Sequence, residues 1–120
     1  MNVFGKKIKT CSLDPLTGYH RKGYCNLDNN DKGTHIVCAI VTKNFLNFTY
    51  NKGNDLITPR HGFPGLKPGD RWCLCVSRWI EAYKHGAAPL IDLERTHRDV
   101  LKYVNLDILR KYGTLDFRNN

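Results

Sequence analysis

No apolar run in this chain approaches the roughly 18 residues that a membrane-crossing helix requires. The opening Met-Asn-Val-Phe-Gly-Lys-Lys lacks the apolar centre of a secretory leader, so the expected location is the cytoplasm. There is no Cys-x-x-Cys, the spacing most often seen in zinc sites. Lys and Arg never occur more than two in succession, although 19 of them give a net charge of +8. Basic charge scattered in this way suits a solvated surface. A nucleic-acid partner is disfavoured further, because no basic strand is interleaved with aromatics and no zinc-finger or helix-turn-helix spacing is present. Internal repeats and low-complexity segments are missing too.

What is present fits one globular domain. The 120 residues are 41% apolar and 25% charged, an ordinary composition for a chain that buries its own core. Cysteine is plentiful: five, at positions 11, 25, 38, 73 and 75. The odd count prevents complete pairing within the chain. In a reducing cytosol a disulfide framework is not expected. Metal ligation, thiol chemistry or plain burial remain, and burial suits Cys38 best.

The first 33 residues are dense in turns. Asp14-Pro15 and Gly18 mark one turn, Gly23 another, and Asn26–Gly33 reads as a solvated polar loop. A calcium loop fails there, because Lys32 and Ala39 occupy ligand positions. Thr34–Thr42 is the clearest strand, nearly continuously apolar from Ile36 to Val41. Thr42 caps a short helix over about 43–52, which Gly53 ends. Leu90–Leu93 reads as a second strand, at an edge because of Pro89. Thr96-His-Arg-Asp99 resembles a capping box, and Asn105 caps a last helix ending at Gly113. The expected fold is α+β: one domain over 1–113, with a small sheet, packed helices, long Gly/Pro-rich loops, and a tail over 114–120.

The candidate site lies in the Gly/Pro-rich run 53–70 and the Gly-Asp-Arg-Trp-Cys-Leu-Cys75 stretch that follows it. Trp72, Cys75, Val76, Trp79, Ile80 and Tyr83 fall at helical spacing, and Asp70 suits an N-cap. The spacing therefore predicts a helix over 71–85, with a strand followed by a helix from Ser77 as the alternative. In a helix Cys73 would lie in the first turn, where the dipole favours a thiolate. Cys73 and His61 are the catalytic candidates, with Asp55 or Asp70 to orient a histidine, and with His35 and His97 as less favoured bases. Arg60, Arg71 and Arg78, with Asp55, Asp70 and Trp72, are candidates for ligand binding, since arginine suits carboxylate and phosphate. The competing structural reading pairs these arginines with Asp55 and Asp70. A metal alternative, zinc above all, uses Cys73, Cys75, His35 and Cys38.

These motifs occur in an order that resembles the domain of unknown function 2237 family. They are Cys11-Ser-x-Asp-Pro-x-Thr-Gly18, Arg21-x-Gly-x-Cys25, His35-x-Val-Cys-Ala39, Gly53-Asn-Asp-Leu-x-Thr-Pro59, Gly62–Cys75, Arg78-Trp79 and Thr96-His97. The likeness spans about residues 2–112, departing near Arg60–Gly62 and at Leu90. It implies a small single domain with a shared set of Cys, Asp, Arg, Trp and Gly, and it implies no catalytic residue. The resulting expectation is a small-molecule or anionic-ligand site built by the 53–75 segment, enzymatic or not. The alternatives are a structural zinc module and a structural or protein-interaction domain. Oligomeric state is not legible.

Overall fold

The computed structural model describes residues 1–114. Four strands form one mixed sheet in the order β2-β1-β3-β4. β1 is Val37–Ile40, β2 Arg71–Leu74, β3 Leu90–Asp92 and β4 Gly113–Thr114. β1 runs antiparallel to both β2 and β3, while β3 and β4 are parallel. Helices α1 (Lys43–Asn51), α2 (Val76–Lys84) and α3 (Leu106–Tyr112) accompany the sheet, with 3₁₀ turns at Leu93–Arg95 and Arg98–Lys102. The fold is α+β, as its composition and patterning lead one to expect.

β1 is central because its sequence is apolar on both faces. Val37, Cys38 and Ala39 are all buried, so both of its edges must be paired and both of its faces covered. α1 starts where Thr42 accepts a hydrogen bond from the Phe45 N–H at 3.1 Å, and it buries Phe45, Leu46 and Thr49. α2 buries Val76, Trp79 and Ala82. The Trp79 ring stacks on Tyr83 at 5.4 Å and meets the edge of Tyr112 at 5.3 Å, while its N–H donates to the Pro89 carbonyl at 3.0 Å. An indole so fully partnered ties α2 to α3, and truncating one to alanine typically costs about 3–5 kcal/mol.

Four expectations need correction. Residues 71–74 form a strand and the helix begins at Val76, so the favoured helix over 71–85 gives way to the strand-then-helix alternative, one residue earlier than its Ser77 start. The unsatisfied edge of β1 outweighs the helical spacing, because pairing Val37 with Leu74 through Ile40 with Arg71 satisfies a buried backbone. Asp70 is consequently no cap: its carboxylate accepts from the Lys67 N–H at 2.8 Å and closes a turn. Thr96 does not cap the segment after it either. Its hydroxyl accepts from the Cys38 N–H and donates to the Asp92 carbonyl, and His97 caps the 3₁₀ turn. Finally, β3 is flanked by β1 and β4, so it is not an edge. In the tail Thr114 belongs to β4, and residues 115–120 lie outside the described part.

The largest departure concerns the cysteines. Cys11 is bonded to Cys38 and Cys25 to Cys73, which leaves Cys75 as the free thiol. The segment 11–25 contains no helix or strand beyond one isolated bridge. Leu13, Leu16, Tyr19 and Tyr24 of that segment are exposed, so little apolar burial holds it. The two disulfides fix its ends to β1 and β2, and the Thr17 hydroxyl accepts from the Cys73 N–H at 2.8 Å between them. Closing loops with sequence separations of 27 and 48 residues is worth on the order of 3–4 kcal/mol each in chain entropy. No described helix is long and apolar enough to cross a membrane.

Replacing Cys11 and Cys38 together by serine is expected to lower global stability by about 3 kcal/mol. Full reduction should also speed trypsin cleavage after Arg21 and Lys22, within the tethered segment. Equal cleavage there in oxidised and reduced protein would contradict the tether.

Candidate functional site

Continuing the β1–β2 register one step beyond Val37 and Leu74 sets Cys75 opposite Ile36, one residue from His35. The Cys75 Sγ lies 3.4 Å from His35 Nε2, and His35 Nδ1 lies 2.7 Å from the Asp31 carboxylate. Three side chains thus form a thiol–imidazole–carboxylate line. Asp31 is 95% shielded, being 5% exposed, and its carboxylate also accepts from the backbone N–H groups of Gly33 and His35. It is therefore rigid, and it holds the imidazole by one nitrogen so that the other faces sulfur.

The backbone is shaped around this contact. Thr34 has φ of 50°, a left-handed conformation that a β-branched residue rarely adopts. Its carbonyl accepts from the N–H groups of Ile36 and Val76, which joins the turn to the start of α2. Gly33 is required for space: a Cβ there would stand 2.3 Å from His35 Cε1 and 3.0 Å from the Cys75 Sγ. Cys75 is itself the N-cap residue of α2 and makes no side-chain capping bond. Its sulfur is free to face His35, at the positive end of a nine-residue helix.

The hydrogen bond to Cys75 is the largest influence on His35 and raises its pKa to about 9 from the ordinary 6.5. Partial burial opposes this, and the bond to Asp31 reinforces it. The charged imidazolium therefore persists through neutral pH and is lost as pH climbs through about 9. Its contribution to stability has the same sign. It is complete below the ordinary 6.5 and disappears as pH rises through about 9.

His35 also lines a cleft of about 520 Å³, together with Tyr19, Arg21, Arg60, His61, Phe63 and Trp72. Arg60 and His61, expected from the sequence, do reach this cleft, and so does Trp72. Cys73 borders it but is disulfide-bonded and 2% exposed, so it offers no thiol; the missing helical turn removes its dipole as well. Arg71 turns instead to Asp92 at 3.4 Å, and Arg78 to the Lys52 carbonyl and Glu81. Asp55 accepts from the Ile57 and Thr58 N–H groups and is held below the ordinary carboxylate range chiefly by the Thr58 bond. Asp55, Asp70, Arg71 and Arg78 thus hold loops and packing, but among the described residues only Arg60 with Asp55 matches the pairing that the structural reading expected, since Arg71 and Arg78 take Asp92 and Glu81 and Asp70 takes the Lys67 N–H. His97 caps a turn, and burial lowers its pKa.

The proposed metal set separates. Cys75 and His35 form one contact, while Cys38 and Cys73 belong to different disulfides. A different trio, Cys11, Cys25 and Cys38, has sulfurs within 4.8 Å of one another, close enough to hold a metal. The expectation of reduced thiols does not hold in this structure, and disulfides favour an oxidising compartment, which leaves the cytoplasmic expectation without support. Sequence reasoning missed Asp31 and Arg21. Asp31-x-x-x-His35 beside a strand was the available signal for the first; for Arg21 there was none.

Fold and site together define a small disulfide-bonded α+β domain with a thiol–imidazole–carboxylate line beside a cleft. The chain belongs to the family DUF2237, described as "Uncharacterized protein conserved in bacteria", whose model matches residues 1–113. A comparison with curated proteins found no match.

Gly33→Ala should displace the imidazole and break the Cys75 contact while leaving the fold intact. The His35 titration, followed by NMR, is expected near about 9 in the native protein. It should be clearly lower in both Gly33→Ala and Cys75→Ser. An unchanged midpoint in Cys75→Ser would refute the assigned cause.

Proposed function

We propose that this domain acts on a small molecule by thiol nucleophilic chemistry. The carrying observation is the Cys75–His35–Asp31 line, with contacts of 3.4 and 2.7 Å. Cys75 is the nucleophile, His35 moves its proton, and Asp31 orients the ring. The substrate would bind in the adjoining cleft, whose volume of about 520 Å³ suits a small ligand; His35 lines it and Cys75 does not, so His35 is the link between the ligand and the thiol. In the reaction the Cys75 thiolate bonds to an electrophilic carbon as that carbon's bond to the leaving group breaks, and the proton carried by the His35 imidazolium passes to the departing group. This reading moves the nucleophile from Cys73 to Cys75 and the base from His61 to His35.

The sulfur trio of Cys11, Cys25 and Cys38 supports a second reading, in which reduced cysteines hold a structural zinc. The hydrogen bonds nearby favour the first. Thr96 and Thr17 accept from the backbone N–H groups of Cys38 and Cys73, and buried neutral disulfides require no donors of their own.

Iodoacetamide labelling at pH 6 tests the thiol. Cys75 should react at least about ten-fold faster in the native protein than in His35→Asn, with Asp31→Asn between the two. Equal rates in all three would reduce Cys75 to a packing residue.

A further inference from the structure

The ionisable groups around the cleft are unusually one-sided. Arg21, Arg60, His35, His61 and Tyr19 line it, and among the described residues no Asp or Glu does. Its apolar wall is formed by Leu56, Phe63 and Trp72, the last two meeting edge to face at 5.2 Å. Each arginine is laid over one of these rings. The Arg21 guanidinium is 5.1 Å from the Trp72 centroid, and that of Arg60 is 4.9 Å from Phe63. Arg21 has no carboxylate partner among the described residues. One Nη donates to the Gly18 carbonyl at 2.8 Å, and the remaining N–H groups have no ionic partner. Its backbone φ of 55° is a left-handed turn closed by its N–H on the Gly18 carbonyl, which sets the side chain back across the indole. Arg60 is partly engaged: it donates to the Asp55 carbonyl at 2.7 Å and stands 3.6 Å from that carboxylate.

Stacked guanidinium groups keep their in-plane N–H donors available, and that geometry matches the two oxygens of a carboxylate or phosphate. Aromatic rings beside them suit a flat apolar body. We propose that the cleft binds a small organic anion, with its carboxylate or phosphate at Arg21 and Arg60 and its flat body against Trp72 and Phe63. The proposal names the substrate class for the thiol site and rests on that reading only for which end of the ligand faces His35. Anion binding itself stands on the cleft.

The test uses Cys75→Ser protein, in which thiol chemistry is removed, with benzoate, phenyl phosphate and neutral benzamide as probes. Binding is followed by calorimetry and by the Trp72 indole N–H resonance. At least one anion should bind and shift that resonance, more weakly as salt rises, and benzamide should not bind. The tighter of the two anions identifies the head group. Arg21→Gln should weaken binding by about ten-fold or more, and Arg60→Gln by less because Asp55 already engages that side chain. Benzamide binding as well as the anions, no loss in Arg21→Gln and Arg60→Gln, or no anion binding would overturn the proposal. The two readings fail separately. Anion binding with an unactivated Cys75 removes the thiol chemistry and keeps the site, and an activated Cys75 without anion binding does the reverse.

Discussion

The antiparallel register of β1 on β2 is the constraint on which the rest depends. Pairing Cys38 with Cys73 brings the two disulfides to adjacent positions, since each of these residues is bonded to one end of the segment 11–25. The same register delivers Cys75 to His35 one step beyond the ladder. A slip of one residue would turn the strand's side chains to the opposite faces. It would separate the thiol from the imidazole and strand both disulfides. Stability and site therefore share one determinant, and the buried apolar faces of β1 enforce it.

Outside the sheet the chain is largely irregular, and its loops are anchored individually. The segment 11–25 is stapled at both ends. The 53–70 run is tied by the Asp55 turn, by the Leu66 N–H on the Leu56 carbonyl, and by the Asp70 turn. The buried Asp92 collects Arg71 and Arg95, which fastens β2 and the first 3₁₀ turn to β3. The cleft forms between the first two of these loops, with Arg21 from one and Arg60 from the other. A binding surface assembled from anchored loops over a rigid sheet is a common arrangement for recognition.

Local signals in the sequence were legible where the structure is local. Thr42 and Gly53 bound α1, and Asn105 begins α3, because capping is decided within a few residues. Ile36–Val41 announced a buried strand by composition alone. The 71–76 stretch was not legible: its spacing favoured a helix over the strand it also allowed, and the deciding partner, β1, lies more than thirty residues upstream. Cysteine pairing failed for the same reason. Spacing carries no information on which of Cys73 and Cys75 faces Cys25, and a location inferred from the N-terminus argued against any pairing. Asp31 was read as one polar residue in a solvated loop, although it is buried, because its burial follows from the Thr34 turn that no residue type signals.

The most direct measurement is a thiol and disulfide map of the native protein. Unreduced protein would be alkylated, digested and sequenced by mass spectrometry. The account predicts label on Cys75 alone, with Cys11 linked to Cys38 and Cys25 to Cys73. A Cys75 found in a disulfide, or label spread over all five cysteines, would contradict it.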